Sequence, residues 1–275
     1  MMNSQTHWKR WLTVLVLVPI LILIIFKGGT LLFAILVLIA GLISMWEYFS
    51  IVFNDEGSPV PLFYPFWGYL TGAGLLAAAA YHSWPGMVGA LCADVVGVAA
   101  FSVLHFRHTE KAPLIVAKQV FGVLYVFLLL GFAILIHGGT EGPRWLFFVI
   151  WVIAWGDAGA FYAGSYLGRH KLCPAVSPKK TIEGAVAGLL SNLVFALLYK
   201  MFIFHALPTA ACLIFAMAGG IAGQFGDLFE SEFKRAAGVK DSSHLLPGHG
   251  GFLDRIDALL LAMPLAYFLK AYMMP

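Results

Sequence analysis

Residues 9–53 read KRWLTVLVLVPILILIIFKGGTLLFAILVLIAGLISMWEYFSIVF. Two apolar runs, 9–26 and 30–53, stand back to back, parted only by Lys27, Gly28 and Gly29. A helix needs about 20 apolar residues to cross a hydrocarbon core of roughly 30 Å, and each run approximates that length. Together they predict a hairpin of transmembrane helices. Lys9 and Arg10 give the first run the outline of a secretory leader. No small-residue cleavage site follows before the second run begins, so it is read as a retained anchor.

The same window outlines seven more spans, at 63–81, 84–106, 114–137, 145–168, 184–206, 208–230 and 252–273. The third and fourth are rich in Gly and Ala and are interrupted at His82-Ser83-Trp84-Pro85. Of 275 residues, 61% are hydrophobic and only 11% charged, where about 25% charged is usual for a soluble domain. The excess apolar surface must face lipid. The expected fold is therefore all-α, a polytopic transmembrane helical bundle of about nine spans. Residues 1–140 would form N-terminal transmembrane helices and 141–275 a C-terminal transmembrane catalytic region.

Lys and Arg in the connections set the orientation. One side collects Lys9, Arg10, Arg107, Lys111, Arg169, Lys171, Lys179, Lys180, Lys234, Arg235 and Lys240, and the other only Lys27 and Arg144. Lys118, Lys200, Arg255 and Lys270 fall within or at the ends of spans. The basic side is cytoplasmic, which places the N-terminus inside and the C-terminus outside. Two cytoplasmic loops are long and polar, 169–183 and 231–251. Cys92, Cys173 and Cys212 are isolated, which argues against a zinc site or a disulfide framework. A net charge of +3 with no aromatic-basic stripe argues against nucleic acid.

Carboxylates within lipid-spanning segments are costly and so are candidates for function. They are Glu47, Asp94, Asp157, Asp227, Asp254 and Asp257, with Glu230 at a boundary. Asp254 and Asp257 lie three residues apart where the last span begins, one helical turn apart on one face. Like charges that close call for a cation between them, and oxygen ligands suit Mg²⁺ or a similar hard ion. His249-Gly250-Gly251 precedes them, a turn whose backbone amides can approach an anion closely. The helix start behind it presents free amides suited to phosphate. Lys234, Arg235, Lys240 and Arg255 add cations for polyphosphate.

Any one of these features has a plainer explanation. A basic loop beside a span is ordinarily a topology signal, and an Asp at a helix start an ordinary dipole partner. Their joint occurrence within 27 residues, Ser231 to Asp257, points to a site.

A second polar stretch repeats the theme. Asp157 lies about 18 Å of helix before Arg169, which puts it near mid-membrane among small residues. Ser177-Pro178-Lys179-Lys180-Thr181-Ile182-Glu183-Gly184 then leads into a new span. Ser177 and Thr181 fit phosphate binding or a helix cap equally well. Asp227 sits where it can reach the same ion as Asp254 and Asp257. Glu47 and Asp94 have no such company and are read as structural.

The run from Ser231 through Lys234, Arg235, Lys240, Asp241, Ser243, Pro247, His249, Gly250, Gly251, Asp254 and Arg255 to Asp257 resembles the signature of the phosphatidate cytidylyltransferase (CDP-diacylglycerol synthase) family. The stretch from Asp157 through Gly164, Ser177, Pro178, Lys179, Thr181, Glu183 and Gly184 resembles it more loosely. Trp155 precedes the Asp by two residues where the family has three.

The resemblance implies transfer of the cytidylyl group of CTP to phosphatidic acid, giving CDP-diacylglycerol and pyrophosphate. It implies one or two divalent ions, Mg²⁺ with a second, different cation as a variant. It also implies a homodimer in the bacterial inner membrane with its site facing the cytoplasm. In these terms Asp227, Asp254 and Asp257 hold metal. Lys234, Arg235, Lys240, Asp241, His249 and Arg255 form the catalytic set. Asp157, Ser177, Lys179, Lys180, Thr181, Glu183, Ser231, Gly250 and Gly251 bind substrate.

Two other readings stand beside it. A CTP-dependent kinase of a polyprenol-type lipid would transfer the γ-phosphoryl group and leave CDP. A cation-coupled transporter would place its charges at the midplane of two symmetry-related halves, whereas these acids gather in the C-terminal half.

Overall fold

The computed structural model describes residues 15, 18–54, 59–106, 111–243, 245 and 250–273. It is an all-α polytopic bundle. A short apolar helix α1 (Val18–Lys27) leads into α2 (Gly29–Val52), α3 (Phe63–Ala80), α4 (Trp84–Leu104), α5 (Ala112–Gly138) and α6 (Gly142–Leu167). A two-stranded antiparallel hairpin follows, β1 (Lys171–Cys173) and β2 (Ser177–Thr181), with Lys171 opposite Thr181 and Cys173 opposite Ser177. Helices α7 (Ile182–Phe202), α8 (Thr209–Ala236) and α9 (Leu253–Met273) complete the chain.

Seven helices among the described residues, α2 and α4 to α9, are long and apolar enough to cross a membrane. Of the other two expected spans, 9–26 lies partly outside the described residues. The other is α3, whose apolar run is diluted by Tyr64, Trp67, Tyr69 and three glycines.

The break expected near residue 84 is real. Ser83 caps α4 by accepting from the amide of Gly86 at 3.1 Å, and Pro85 sits in the first turn, where its missing N–H is harmless. Helix α5 runs through the centre of the bundle and is the most buried of the long helices, which its all-round apolar sequence dictates. It widens into a π-type turn over Val123–Leu128. Phe127 of that turn packs against Gly41 of α2 and Gly72 of α3.

One core cluster joins α2 and α5 to α6 and α9, through residues such as Met45, Phe127, Trp145 and Leu260. It thus runs across residue 140. At one end of the bundle His137 Nε2 stands 2.8 Å from the carbonyl of Ile25, and Tyr199 donates to the carbonyl of Arg144 at 2.9 Å. At the other end Lys118 donates to the carbonyl of Val52 at 2.7 Å.

Two boundaries differ from expectation, both at the polar end. Helix α8 does not stop at 230 but continues to Ala236, so Ser231, Lys234 and Arg235 are helical rather than part of a loop. The segment from Gly226 to Ala236 is amphipathic. Phe229 and Phe233 pack into an aromatic group with Tyr48, Phe121 and Tyr125 while the polar residues face the other way. Charge ends a membrane span but not a helix. The other polar connection is the β hairpin, which closes onto the start of α7, so Glu183 lies in the first turn of α7.

Candidate active site

The hairpin meets α6, α7, α8 and α9 around a cavity of about 470 Å³. Its walls carry Asp157 from α6, Lys179 and Lys180 from β2, Asp227 from α8, and Asp254, Arg255 and Asp257 from α9. Two stretches some seventy residues apart in sequence therefore line one space. The pairing rests on close helix contact. Asn192 of α7 fits against Gly156 of α6 and Gly220 of α8, at positions where even a methyl group has no room.

Lys180 reaches from the hairpin to α8 and pairs with Asp227 Oδ2 at 2.6 Å, both side chains remaining partly exposed. Ser231, one turn on, has its hydroxyl 3.5 Å from Asp227 Oδ1. Asp257 is nearly buried and faces the cavity, its Oδ1 accepting from the amide of Ala258 at 2.7 Å. Asp157, ten residues inside the end of α6, is open to the same space. Gln224 donates to the carbonyl of Ala185 at 2.9 Å and fills the wall between them.

Asp254 has a different setting. Its Oδ1 accepts from Lys234 at 2.5 Å, and its Oδ2 accepts from the amides of Ser242 at 3.2 Å and Gly251 at 2.9 Å. Lys234, 8% exposed, also pairs with the fully buried Glu230 one turn before it on α8. Lys234 is thus enclosed between two carboxylates rather than presented to a ligand. Burying charged groups is expensive unless geometry and hydrogen bonds compensate, and the three side chains tie the end of α8 to the start of α9.

The remaining predicted residues hold this framework together or stand apart from it. Thr181 lines the cavity but also caps α7, accepting from the amide of Gly184 at 3.2 Å. Glu183 stands 2.6 Å from His170 Nδ1 and accepts from the amides of Arg169 and His170, which closes the base of the hairpin. Arg235 donates to the carbonyls of Val176 at 3.1 Å and Val239 at 3.2 Å, fastening the hairpin tip to α8. Ser177 belongs to β2 outside the cavity lining, and Lys240 and Asp241 are exposed just after α8. Gly250 has φ +80°, the left-handed region that glycine enters freely. At Gly251 a side chain would run into Ser242 and Glu47. His249 lies outside the described residues.

Sequence reasoning left Glu47 aside, yet it reaches the signature turn from α2. It is fully buried. Oε1 accepts from Ser243 Oγ at 2.5 Å and the amide of Phe252 at 2.8 Å. Oε2 accepts from Ser242 Oγ at 3.1 Å and the amide of Leu253 at 2.6 Å. The available signal was its ionisable side chain inside an apolar run; its partners, some 200 positions away, were not legible. Asp94, the other acid read as structural, is buried inside the bundle near the middle of α4 and accepts from Thr71 at 2.7 Å and Gln119 at 2.8 Å.

Among the described residues no three His, Cys, Asp or Glu side chains are grouped closely enough to hold a metal by themselves. Mg²⁺ does not require such a cage, because it commonly keeps several waters and binds through one or two carboxylates plus substrate phosphates. The cavity wall carries four carboxylates, Asp157, Asp227, Asp254 and Asp257, against three cations, Lys179, Lys180 and Arg255. That balance leaves the wall net negative, so the donor set fits a divalent ion bound by the wall carboxylates and completed by water or by the oxygens of a ligand.

The family model described as the cytidylyltransferase family matches residues 8–273. A phosphatidate cytidylyltransferase of Staphylococcus saprophyticus is 42% identical over 136 residues, 50% of this chain and 52% of that protein. One of Staphylococcus epidermidis is 36% identical over 167 residues, 60% of this chain and 64% of the relative. One of Bacillus subtilis is 42% identical over 130 residues, 47% of this chain and 48% of the relative. The matched part of the chain thus spans about half to two thirds of the length of these curated relatives.

Proposed function

The chain belongs to the cytidylyltransferase family, and on that premise we propose that it transfers the cytidylyl group of CTP to phosphatidic acid, giving CDP-diacylglycerol and pyrophosphate. The observation that carries this reading is the convergence of Asp157, Asp227, Asp257, Lys179, Lys180 and Arg255 on one cavity at the polar end of a membrane bundle. The names of the relatives point to the same lipid chemistry.

The nucleophile is a phosphate monoester oxygen, already anionic near neutral pH, so no general base is required. That oxygen attacks the α-phosphorus of CTP. A new P–O bond forms, the bond from the α-phosphorus to the α,β-bridging oxygen breaks, and pyrophosphate departs with the electron pair. The barrier lies in bringing anions together, which positioned cations lower. Lys179, Lys180 and Arg255 hold the phosphates, and Asp254 with Lys234 fixes the start of α9. Asp227 and Asp257 would hold a Mg²⁺ ion, which would supply the remaining positive charge.

In this reading the apolar run 9–26, which includes most of α1, and α3 cross the membrane with the seven long helices. The N-terminus is then cytoplasmic and the cavity opens to the cytoplasm, where CTP is found, at the level where a lipid headgroup can enter sideways. The membrane is the bacterial inner membrane. Purified protein given CTP and Mg²⁺ should release pyrophosphate only when phosphatidic acid is added. Release of CDP in step with phosphorylation of a lipid alcohol would instead indicate a kinase.

A further inference from the structure

We propose that Glu47 of α2 is a positioning residue for this site, holding the turn before α9 in the one arrangement that aims Asp254 and Asp257 at the cavity. The inference rests on the transfer reading above and extends its machinery into the N-terminal half of the chain.

The geometry is specific. An ionised carboxylate offers about four acceptor sites, and Glu47 uses them on Ser242, Ser243, Phe252 and Leu253. The amides of Phe252 and Leu253 belong to the start of α9, where donors have no partner within the helix. Such donors are ordinarily capped by a nearby Ser, Thr, Asp or Asn. Here the acceptor comes from 206 positions earlier in the chain.

The turn is gripped from two sides. Asp254 takes the amides of Ser242 and Gly251, while Glu47 takes the hydroxyls and the next two amides. Gly251 lies between the two carboxylates, and any side chain there would strike Glu47. Glu47 lines no part of the cavity, so its influence passes through the turn. Partners that orient a ligating carboxylate change metal affinity by about 10- to 100-fold when removed. Glutamine cannot replace it, since a side-chain amide presents hydrogens to two of the four donors.

Asp94 provides the control. It too is a buried acid of the N-terminal half, but it joins α3, α4 and α5 through Thr71 and Gln119 and touches nothing in the site. Glu47→Gln and Asp94→Asn are to be prepared as full-length protein in detergent. Mn²⁺ affinity without substrate is measured by electron paramagnetic resonance, beside thermal melting and steady-state kinetics.

Glu47→Gln should bind Mn²⁺ at least about tenfold more weakly. Its kcat should fall by about 10², the scale of a small misplacement of catalytic groups, with KM for CTP changed far less. Glu47→Asp, which keeps the charge, should recover part of both. Asp94→Asn should melt earlier yet keep Mn²⁺ affinity. If Glu47→Gln does not fold, Ser242→Ala with Ser243→Ala removes two of the four hydrogen bonds and should weaken Mn²⁺ binding in the same direction.

Unchanged Mn²⁺ affinity in Glu47→Gln, or in the serine pair when it is the variant used, overturns the proposal. So does equal weakening by Asp94→Asn. If the unmodified chain transfers cytidylyl groups while Glu47→Gln binds Mn²⁺ normally, this inference alone fails. If the unmodified chain neither transfers nor binds Mn²⁺, the transfer reading fails and takes the inference with it.

Discussion

Lys234 on α8 donates to Asp254 on α9 at 2.5 Å, and the same ammonium pairs with the buried Glu230. Removing one member of a buried ion cluster leaves charge without a counterion and costs about 3–5 kcal/mol. Lys234→Met should therefore lower the thermal midpoint markedly as well as abolish turnover. Adding Glu230→Gln to that variant should restore part of the midpoint and none of the activity. Melting followed by circular dichroism, with activity in parallel, checks both.

Lys180 and Asp227 form the opposite case, a pair with both side chains partly exposed. Such pairs contribute about 0–1 kcal/mol, so Lys180→Ala should melt close to the unmodified chain. Its KM for CTP should rise by about tenfold, the effect of losing one phosphate contact worth roughly 1.4 kcal/mol. Kinetics at two salt concentrations would expose any role that is only surface screening.

Asp254→Asn and Asp257→Asn should each lower kcat by at least about 10², the scale of losing a principal electrostatic stabiliser. Their stabilities should part. Asp254 holds Lys234 and two turn amides, whereas among the described residues Asp257 accepts from the neighbouring Ala258 alone. Asp254→Asn should melt earlier and Asp257→Asn should not. Near-normal turnover in both variants would remove them from the chemistry.

Thr181 separates a cap from a ligand. Its hydroxyl accepts from the amide of Gly184, and loss of such a cap costs about 1 kcal/mol. Thr181→Ala should lose that stability while Thr181→Ser keeps it, with KM for CTP little changed in either. A large rise in KM for Thr181→Ala alone would return the residue to substrate binding.

How far the sequence foretold this arrangement depends on the range of the forces involved. The long spans were legible because twenty apolar residues in lipid have few alternatives to a helix. The joining of Asp157 to Asp257 was legible because charges inside spans seek one polar space. The end of α8 was not, since hydropathy drops at Ser231 while Phe229 and Phe233 keep packing into the aromatic group. Nor was the enclosure of Lys234, which follows from the approach of two helices with a turn between them. Glu47 shows the limit most plainly. One carboxylate in an apolar run has no local partner to read, and its four donors become neighbours only when α2 lies against the start of α9.

The central claim is best tested with CTP labelled at the α-phosphorus, incubated with the purified chain, Mg²⁺ and phosphatidic acid in mixed micelles. The account predicts label in a chloroform-soluble product at one cytidylyl group per pyrophosphate released, dependent on both Mg²⁺ and phosphatidic acid. Label that stays in water-soluble CTP or CDP, from protein shown to be folded, would contradict it.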